Sequence, residues 1–218
     1  MRKPRLTDRS LSVNDKLAHA YDTPAGTFTV HDSARNALLL FELFDDKAFS
    51  MEDKLEIAIR MVFAKPEEIQ HLNPNALLTA LNCVLSDFCG LELLTTHKEN
   101  YEAPVFDWTQ DAARIKASLL MAYGLDWEEC SKRYTYAEVC DLLGMLLETG
   151  DTTPFSEAVY YRTAKPPKRS EHNGEYVSSW LKRRSYFSMD RKTEETENAV
   201  DRQLSDMFES LWKAAQSG

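Results

Sequence analysis

Residues 73–90, with the sequence NPNALLTALNCVLSDFCG, carry the clearest structural signal of this chain. Asn73 is a favourable N-cap residue, and Pro74 follows it at the first helical position, where a missing N–H costs the helix nothing. Gly90 stands where a left-handed residue ends many helices. Large apolar side chains recur between them every three or four residues, the period of one helix face: Leu77, Leu81, Val84, Leu85 and Phe88. The stretch therefore predicts a buried amphipathic helix.

The same helical period continues through most of the chain. Thr135 and Glu138 have the spacing of a capping box, and Gly124 and Gly150 are placed to end helices. Only residues 27–30 (TFTV) predict a strand, and the sequence shows no evident partner for it. Further capping residues precede apolar stripes at Ser33, Ser50, Asp107 and Thr153. The predicted fold class is mainly α: a helical bundle-like domain with a short N-terminal β element and a C-terminal amphipathic helix.

The two helices with the widest apolar faces are expected to form one core. The first is the helix at residues 73–90 and the second follows Thr135. On this expectation the stripe of the first helix packs against the apolar side chains of the second, namely Leu142, Leu143 and Leu146.

Charge is unevenly distributed over the 218 residues, whose formal net charge is −9. Residues 31–150 hold 10 Lys and Arg against 21 Asp and Glu, residues 151–192 hold 9 against 5, and residues 193–218 hold 2 against 6. The stretch AKPPKRS at 164–170 breaks any helix. We therefore predict four segments: an N-terminal arm at 1–26, a helical core domain at 27–163, a basic linker and helix at 164–192, and a C-terminal amphipathic acidic helix at 193–218.

Composition excludes several classes of protein. No apolar run approaches the roughly 18 residues of a membrane span. The basic start, MRKPR, is not followed by the apolar run of a signal peptide. Four cysteines in 218 residues suggest reduced thiols rather than a disulfide framework. Reduced thiols in turn lead us to expect a cytoplasmic protein.

No enzyme signature stands out in the sequence, and we expect no catalysis, cofactor or metal. Asp107 and Asp111 lie four residues apart, as a catalytic carboxylate pair can, but the helix dipole alone favours acidic residues near a helix start. His71 and His97 could in principle join two cysteines. The cysteines lack the short spacing of zinc ligands and are interpreted as small buried residues: Cys83, Cys89, Cys130 and Cys140.

Two sets of residues are candidates for partner binding. Residues 160–192 alternate cations with aromatic rings, a pattern that can contact phosphates and stack bases but also fits a solvated face balancing the acidic body. From this segment we name Tyr160, Arg162 and Trp180. From the C-terminal helix, whose stripe starts at Val200, we name Leu204, Met207, Phe208, Leu211 and Trp212. That helix either packs on its own domain or contacts another copy or a client protein.

Several motifs occur in a fixed order. The strand TFTV at 27–30 is followed by SMEDKLEIA at 50–58. Then come FDWTQD at 106–111, AYGLD at 122–126, RYTYAEV at 133–139 and YYR at 160–162. In these motifs, from about residue 21 to about residue 189, the chain resembles the bacteriophage gene-product-fifteen family of tailed-phage and prophage proteins. Tyrosines stand in RYTYAEV where the family typically has tryptophans.

The resemblance implies a role in building long phage tails, and we therefore expect the protein to act in the host cytoplasm. Genes of the family commonly lie between those for the tail tube and the tape-measure protein, where tail assembly chaperones are encoded. The implied partners are therefore the tape-measure protein and the tail tube protein, with self-association as a further expectation. Two alternatives remain: a structural tail or connector component of the virion, and a nucleic-acid-binding accessory protein acting through residues 160–192.

Overall fold

The computed structural model describes residues 1, 10–93, 105–150, 152–170 and 172–189. Within them the fold is mainly α with a small antiparallel sheet near the N-terminus, which confirms the predicted fold class. The strands are β1 (Leu11–Val13), β2 (Lys16–Thr23) and β3 (Gly26–Val30). The helices are α1 (Ala34–Asp45), α2 (Met51–Val62), α3 (Pro74–Cys89), α4 (Ala112–Tyr123), α5 (Trp127–Arg133), α6 (Tyr136–Glu148), α7 (Pro154–Thr163) and α8 (Gly174–Phe187). The predicted C-terminal helix lies outside the described residues.

The sheet contains the partner strand of residues 27–30, which the sequence pattern alone does not reveal. β2 pairs antiparallel with both β1 and β3, in the order β1-β2-β3. A two-residue turn joins β1 to β2, and its residues Asn14 and Asp15 have φ of 51° and 58°. Positive φ at both positions twists the turn in the hand that a hairpin requires, and Asn and Asp tolerate it better than most residues.

The residues form two compact units, of which the first contains described residues 10–93 and 128–141. Its core combines β2 and β3 with the buried faces of α1, α2 and α3. The prediction for α3 is largely confirmed: four residues of its stripe are buried and Leu77 is partly buried. The largest fully buried side chains of this unit are Leu40, Leu81, Leu85 and Phe88, together with Val30, Val62, Val84 and Val139.

The second unit contains described residues 105–127, 142–150, 152–170 and 172–189. Here α7 packs on both α4 and α8. Its buried side chains include Ile115, Leu119, Leu143, Leu146, Phe155, Trp180 and Phe187. The expected joint core of α3 with α6 is therefore wrong, because Leu143 and Leu146 are buried in the second unit and Leu142 is only partly buried.

Most helix ends lie where the capping residues predict them. The side chains of Ser33, Ser50 and Asn73 accept the expected backbone N–H groups, and Thr135 and Glu138 form the reciprocal capping box. Helix α4 is an exception because it begins at Ala112 rather than beside Asp107. The sequence pattern does not indicate the short helix α5. Among the described residues, no helix has the length and apolar character to cross a membrane.

Candidate functional site

A buried ion pair joins α4 to α7 in the second unit. Arg162 donates from Nη1 to Asp111 Oδ2 at 2.6 Å and from Nη2 to Oδ1 at 2.8 Å. Asp111 is 0% exposed, and the Arg162 side chain is 9% exposed. Two parallel charge-assisted hydrogen bonds fix both distance and orientation, which a single contact does not.

Further hydrogen bonds extend this pair into a network. Arg114 Nη1 donates to Asp111 Oδ1 at 2.8 Å, and the backbone N–H of Asp107 donates to Oδ2 at 3.1 Å. Arg162 in turn donates from Nε to the carbonyl of Phe187 at 2.6 Å and from Nη1 to that of Val105 at 3.1 Å. The guanidinium therefore holds together the start of α4, the end of α7 and the end of α8. We call these groups the Asp111 network.

The pKa of Asp111 follows from two opposing effects. Burial raises the pKa, but hydrogen bonds from Arg162, from the Asp107 backbone and from Arg114 lower it more. The result is a pKa below the usual carboxyl value, so Asp111 is ionised at neutral pH. A carboxylate that accepts hydrogen bonds from two cations and one N–H has a structural role and is poorly suited to act as a general base.

The second carboxylate of the predicted pair is also used structurally. Asp107 Oδ1 accepts the backbone N–H groups of Thr109 at 2.8 Å and Gln110 at 2.7 Å, which closes a turn before α4. Both carboxylates of the pair thus stabilise the entry to α4, and the geometry gives no support to a catalytic reading.

Aromatic rings surround the Asp111 network. Phe106 makes edge contacts with Phe155 at 5.4 Å and with Trp108 at 5.2 Å between ring centroids. On the other side, Tyr161 stacks on Phe187 at 5.6 Å and lies beside Trp180 at 5.6 Å. The motifs FDWTQD and YYR are therefore explained as one packing and hydrogen-bonding unit, although 51 residues separate Asp111 from Arg162.

The structure places the predicted partner-binding residues in different environments. Tyr160 is 54% exposed, whereas Trp180 is 3% exposed and Arg162 belongs to the Asp111 network. A ring and a guanidinium that are buried in this way serve the fold of the second unit, so among these three only Tyr160 is accessible. The remaining candidates lie outside the described residues: Leu204, Met207, Phe208, Leu211 and Trp212.

The basic segment is partly engaged within its own unit. Arg183 donates to the Tyr161 hydroxyl and to Glu157, each at 3.2 Å, and Arg184 lies 5.7 Å from the Trp180 ring. These contacts favour the interpretation of a solvated face that balances acidic neighbours. Among the described residues of the segment, no contact specifically favours nucleic acid.

An exposed apolar surface occurs at the C-terminal ends of α4 and α6. Leu120 is 57% exposed, Met121 66% and Met145 54%. Tyr123 joins the two helices, because its hydroxyl donates to the carbonyl of Leu142 at 3.1 Å. Leu120 precedes Tyr123 by one helical turn, and Met145 follows Leu142 by one turn. We define the apolar surface as Leu120, Met121, Tyr123 and Met145, all of which are exposed.

Two buried polar contacts organise the first unit. Lys54, from the motif SMEDKLEIA, is buried and donates through Nζ to the carbonyl of Phe44 at 2.6 Å, which satisfies the end of α1. Asp32 is also buried; it lies 2.9 Å from Nδ1 of His19 and accepts the hydroxyl of Tyr21 at 3.0 Å. These contacts attach β2 to the start of α1 and serve the fold.

The cysteines are free thiols. Burial raises the pKa of Cys89 to about 12 and that of Cys140 to about 11, so neither is a thiolate nucleophile at neutral pH. In the part of the chain that the structure describes, no three His, Cys, Asp or Glu side chains converge as metal ligands would. The expectation that no metal or cofactor is bound stays a prediction.

Comparison with known proteins assigns the class. The family model described as Bacteriophage Gp15 protein matches residues 13–186, which is most of the chain. The chain therefore belongs to the bacteriophage Gp15 protein family, as the sequence motifs indicated. The family is one of phage structure and morphogenesis rather than a known enzyme family. Neither the curated proteins nor the solved structures contain a match.

Proposed function

We propose that this protein is a non-enzymatic chaperone of phage tail assembly that escorts the tape-measure protein until tail tube subunits replace it. Family membership supports the setting of phage morphogenesis. The single observation that carries the binding role is the apolar surface of α4 and α6, because large apolar side chains gathered at one exposed place mark an interaction site.

The chemistry of the apolar surface suits a helical client. Leu120, Met121 and Met145 offer large apolar side chains, and the unbranched methionine side chain adapts its shape to different partners. A long client with an apolar seam would place one helix face on this surface, as amphipathic helices do in other grooves. Individually weak contacts repeated over many copies give firm but displaceable coverage. The net charge of −9 keeps such a coated client soluble by mutual repulsion.

We assign the Asp111 network a structural role, which is to fix the helix that carries the apolar surface, and no role in binding. Arg114 and Asp111 fix the first turns of α4, and the apolar surface begins at Leu120 on the same helix. A helix held at its start presents its far end in a constant orientation, which lowers the entropy lost when a partner binds.

The test is co-expression of the full chain with the tape-measure protein encoded beside it, followed by affinity capture. Leu120→Asp with Met145→Asp is expected to reduce capture about tenfold or more, because charges replace the apolar contacts. The matched control is Tyr176→Asp with Leu181→Asp, since both side chains are exposed on α8. Equal capture by both variants and the parent contradicts the assignment of the surface.

Virion content separates this proposal from its first alternative. A chaperone is absent from purified virions, whereas a structural tail or connector component is present in fixed copy number. Detection of the chain in washed virions by quantitative mass spectrometry would replace the chaperone proposal with the structural one.

A further inference from the structure

We infer that copies of this chain associate head to tail, with the corner between α1 and α2 of one copy docked against the outer face of α8 in the next copy. This docking goes beyond the proposed function, because it requires no client and does not use the apolar surface.

The two units of the chain carry opposite charges. The described residues of the first unit hold 8 Lys and Arg against 17 Asp and Glu, whereas those of the second unit hold 9 against 6. Like charges therefore disfavour contact between the first units of two copies, and opposite charges favour contact between the first unit of one copy and the second unit of another. Such a contact joins two different surfaces, so it continues from copy to copy into a ring or an open chain.

A groove on the second unit offers cations to a partner. It lies on the outer face of α8 and at the residues before that helix, and its volume is about 490 Å³. Arg169 and Lys182 are exposed, and neither forms an ion pair with a carboxylate of the described residues. Cations and hydroxyls in one groove are donors that suit carboxylates. We define the cationic groove by its lining residues, which are Arg169, Gly174, Glu175, Ser178, Ser179 and Lys182.

Three larger side chains of α8 are also exposed, and one of them lies beside the cationic groove. Tyr186 is 74% exposed and follows Lys182 by one turn, so the two share a face of the helix. The Tyr186 ring contacts that of Phe187 at 5.0 Å between centroids, which limits its motion. Tyr176 and Leu181 lie about 120° and about 100° round the helix from Lys182, on its flanks. Tyr186 is therefore the aromatic side chain that a ligand of the cationic groove would meet.

The complementary surface lies where α1 ends and α2 begins. We define the acidic corner as Asp45, Asp46, Phe49, Glu52 and Asp53, all of which are exposed, with Lys47 as an exposed cation among them. The acidic corner has a fixed backbone, because Lys54 donates to the carbonyl of Phe44 at 2.6 Å and Asp46 Oδ1 accepts the N–H of Ala48 at 2.8 Å. Phe49 is 45% exposed, so one aromatic ring stands among four carboxylates.

A second copy satisfies both parts of the site. The carboxylates of its acidic corner match Arg169 and Lys182, and its Phe49 supplies an aromatic partner for Tyr186. Aromatic side chains beside charged pairs are typical of the residues that dominate protein interfaces. The phosphates of a nucleic acid would bind the same cations, but they would involve neither Phe49 nor the carboxylates around it.

Analytical ultracentrifugation of the full chain tests the docking. The parent, whose mass is 25.0 kDa, is expected to form dimers and larger species as its concentration rises. Arg169→Glu with Lys182→Glu reverses the cationic groove, and Asp45→Lys with Glu52→Lys reverses the acidic corner. Each variant alone is expected to stay monomeric. The two variants mixed in equal amounts are expected to associate again, because the mixture contains one intact groove and one intact corner.

Two further variants separate docking from a general effect of charge. Lys16→Glu with Lys116→Glu makes the same change in net charge at exposed positions outside the cationic groove, and it is expected to leave association unchanged. Phe49→Ala changes no charge and is expected to weaken association about tenfold. Circular dichroism checks that every variant is folded.

Three results overturn the inference. The first is a parent that stays monomeric up to about 100 μM. The second is association that survives reversal of either surface; loss in the groove variant alone identifies another acidic part of the chain as the occupant. The third is absent rescue in the mixture of the two folded variants. None of these measurements involves the client, so the proposed function is tested separately.

Discussion

Replacing Asp111 by Ala is expected to lower the free energy of unfolding by about 3–5 kcal/mol, the usual cost of breaking a buried ion pair by removing one partner. The loss is large because Arg162 then remains buried without its carboxylate, and the backbone N–H of Asp107 loses an acceptor. Urea unfolding followed by tryptophan fluorescence measures it, since Trp108, Trp127 and Trp180 all belong to the second unit.

The matched control for this substitution is an exposed ion pair. Glu56 and Arg60 are paired on the surface of α2 with side chains 64% and 76% exposed. Glu56→Ala is expected to change stability by less than about 1 kcal/mol, because water screens exposed pairs. A loss for Asp111→Ala no larger than that of the control would show that the Asp111 network does not support the second unit.

Acid is expected to destabilise the protein partly through Asp111. The pKa of Asp111 is lowered in the folded chain, since hydrogen bonds from Arg162, Asp107 and Arg114 outweigh the opposing effect of burial. Its contribution is therefore present above the ordinary carboxyl pKa, about 3.9, and is lost as the pH falls through the lower folded value.

Glu68 responds to acid in the same direction, so a comparison is needed to isolate Asp111. Burial raises the pKa of Glu68, but hydrogen bonds from the N–H and hydroxyl of Thr29 lower that pKa more. Unfolding of the parent and of Asp111→Asn is to be compared between pH 7 and pH 2.5. The difference in their stability is expected to shrink as the pH falls, and a constant difference would contradict the ionised state of Asp111.

The second large effect is expected in the first unit. Leu81→Ala removes a fully buried side chain at the centre of α3 and leaves a cavity, which costs about 2–5 kcal/mol. Hydrogen exchange of the α3 amides under native conditions measures the loss locally. Leu39→Ala on the exposed face of α1 is the control, with an expected change within about 0.5 kcal/mol. Equal exchange in the two variants would place Leu81 outside the core.

Local chemistry explains which parts of the fold were predictable. Asn73, Ser33 and Thr135 cap their helices through atoms three residues away, so the signal lies within one short window. Gly90 and Gly124 adopt the left-handed conformation that their positions predict. In such windows the sequence contains both partners of the interaction.

Interactions between distant segments explain which features of the fold could not be predicted from the sequence. Arg162 was named for partner binding because an arginine among tyrosines is typical of binding surfaces, whereas its carboxylate partner lies 51 residues earlier. β2 was missed because its residues, KLAHAYDT, are only weakly apolar; its register depends on pairing with β3 and on the bond between Tyr21 and Asp32. Periodicity alone also assigned the stripe of α6 to the wrong core.

The apolar surface was missed for a related reason. Leu120 and Met121 follow Ile115 and Leu119, which are buried. From the sequence alone, these neighbouring apolar residues are assigned to the same buried face. Which of them is covered depends on where α7 packs along α4. The sequence nevertheless contains an indication of the exposed surface. A helix buries one apolar stripe against the core, and α4 has apolar residues on more than one side.

The reach of Arg162 sets an order of events during synthesis on the ribosome. Asp111 emerges 51 residues before its partner, a delay of roughly 3–10 s at the usual elongation rate of 5–20 residues per second. Phe187, whose carbonyl the same guanidinium bonds, emerges later still. Residues 10–93 have all emerged by then. The end of α4 that carries the apolar surface thus acquires its fixed support only after most of the chain has been made, and we expect the proposed client binding to begin late in translation.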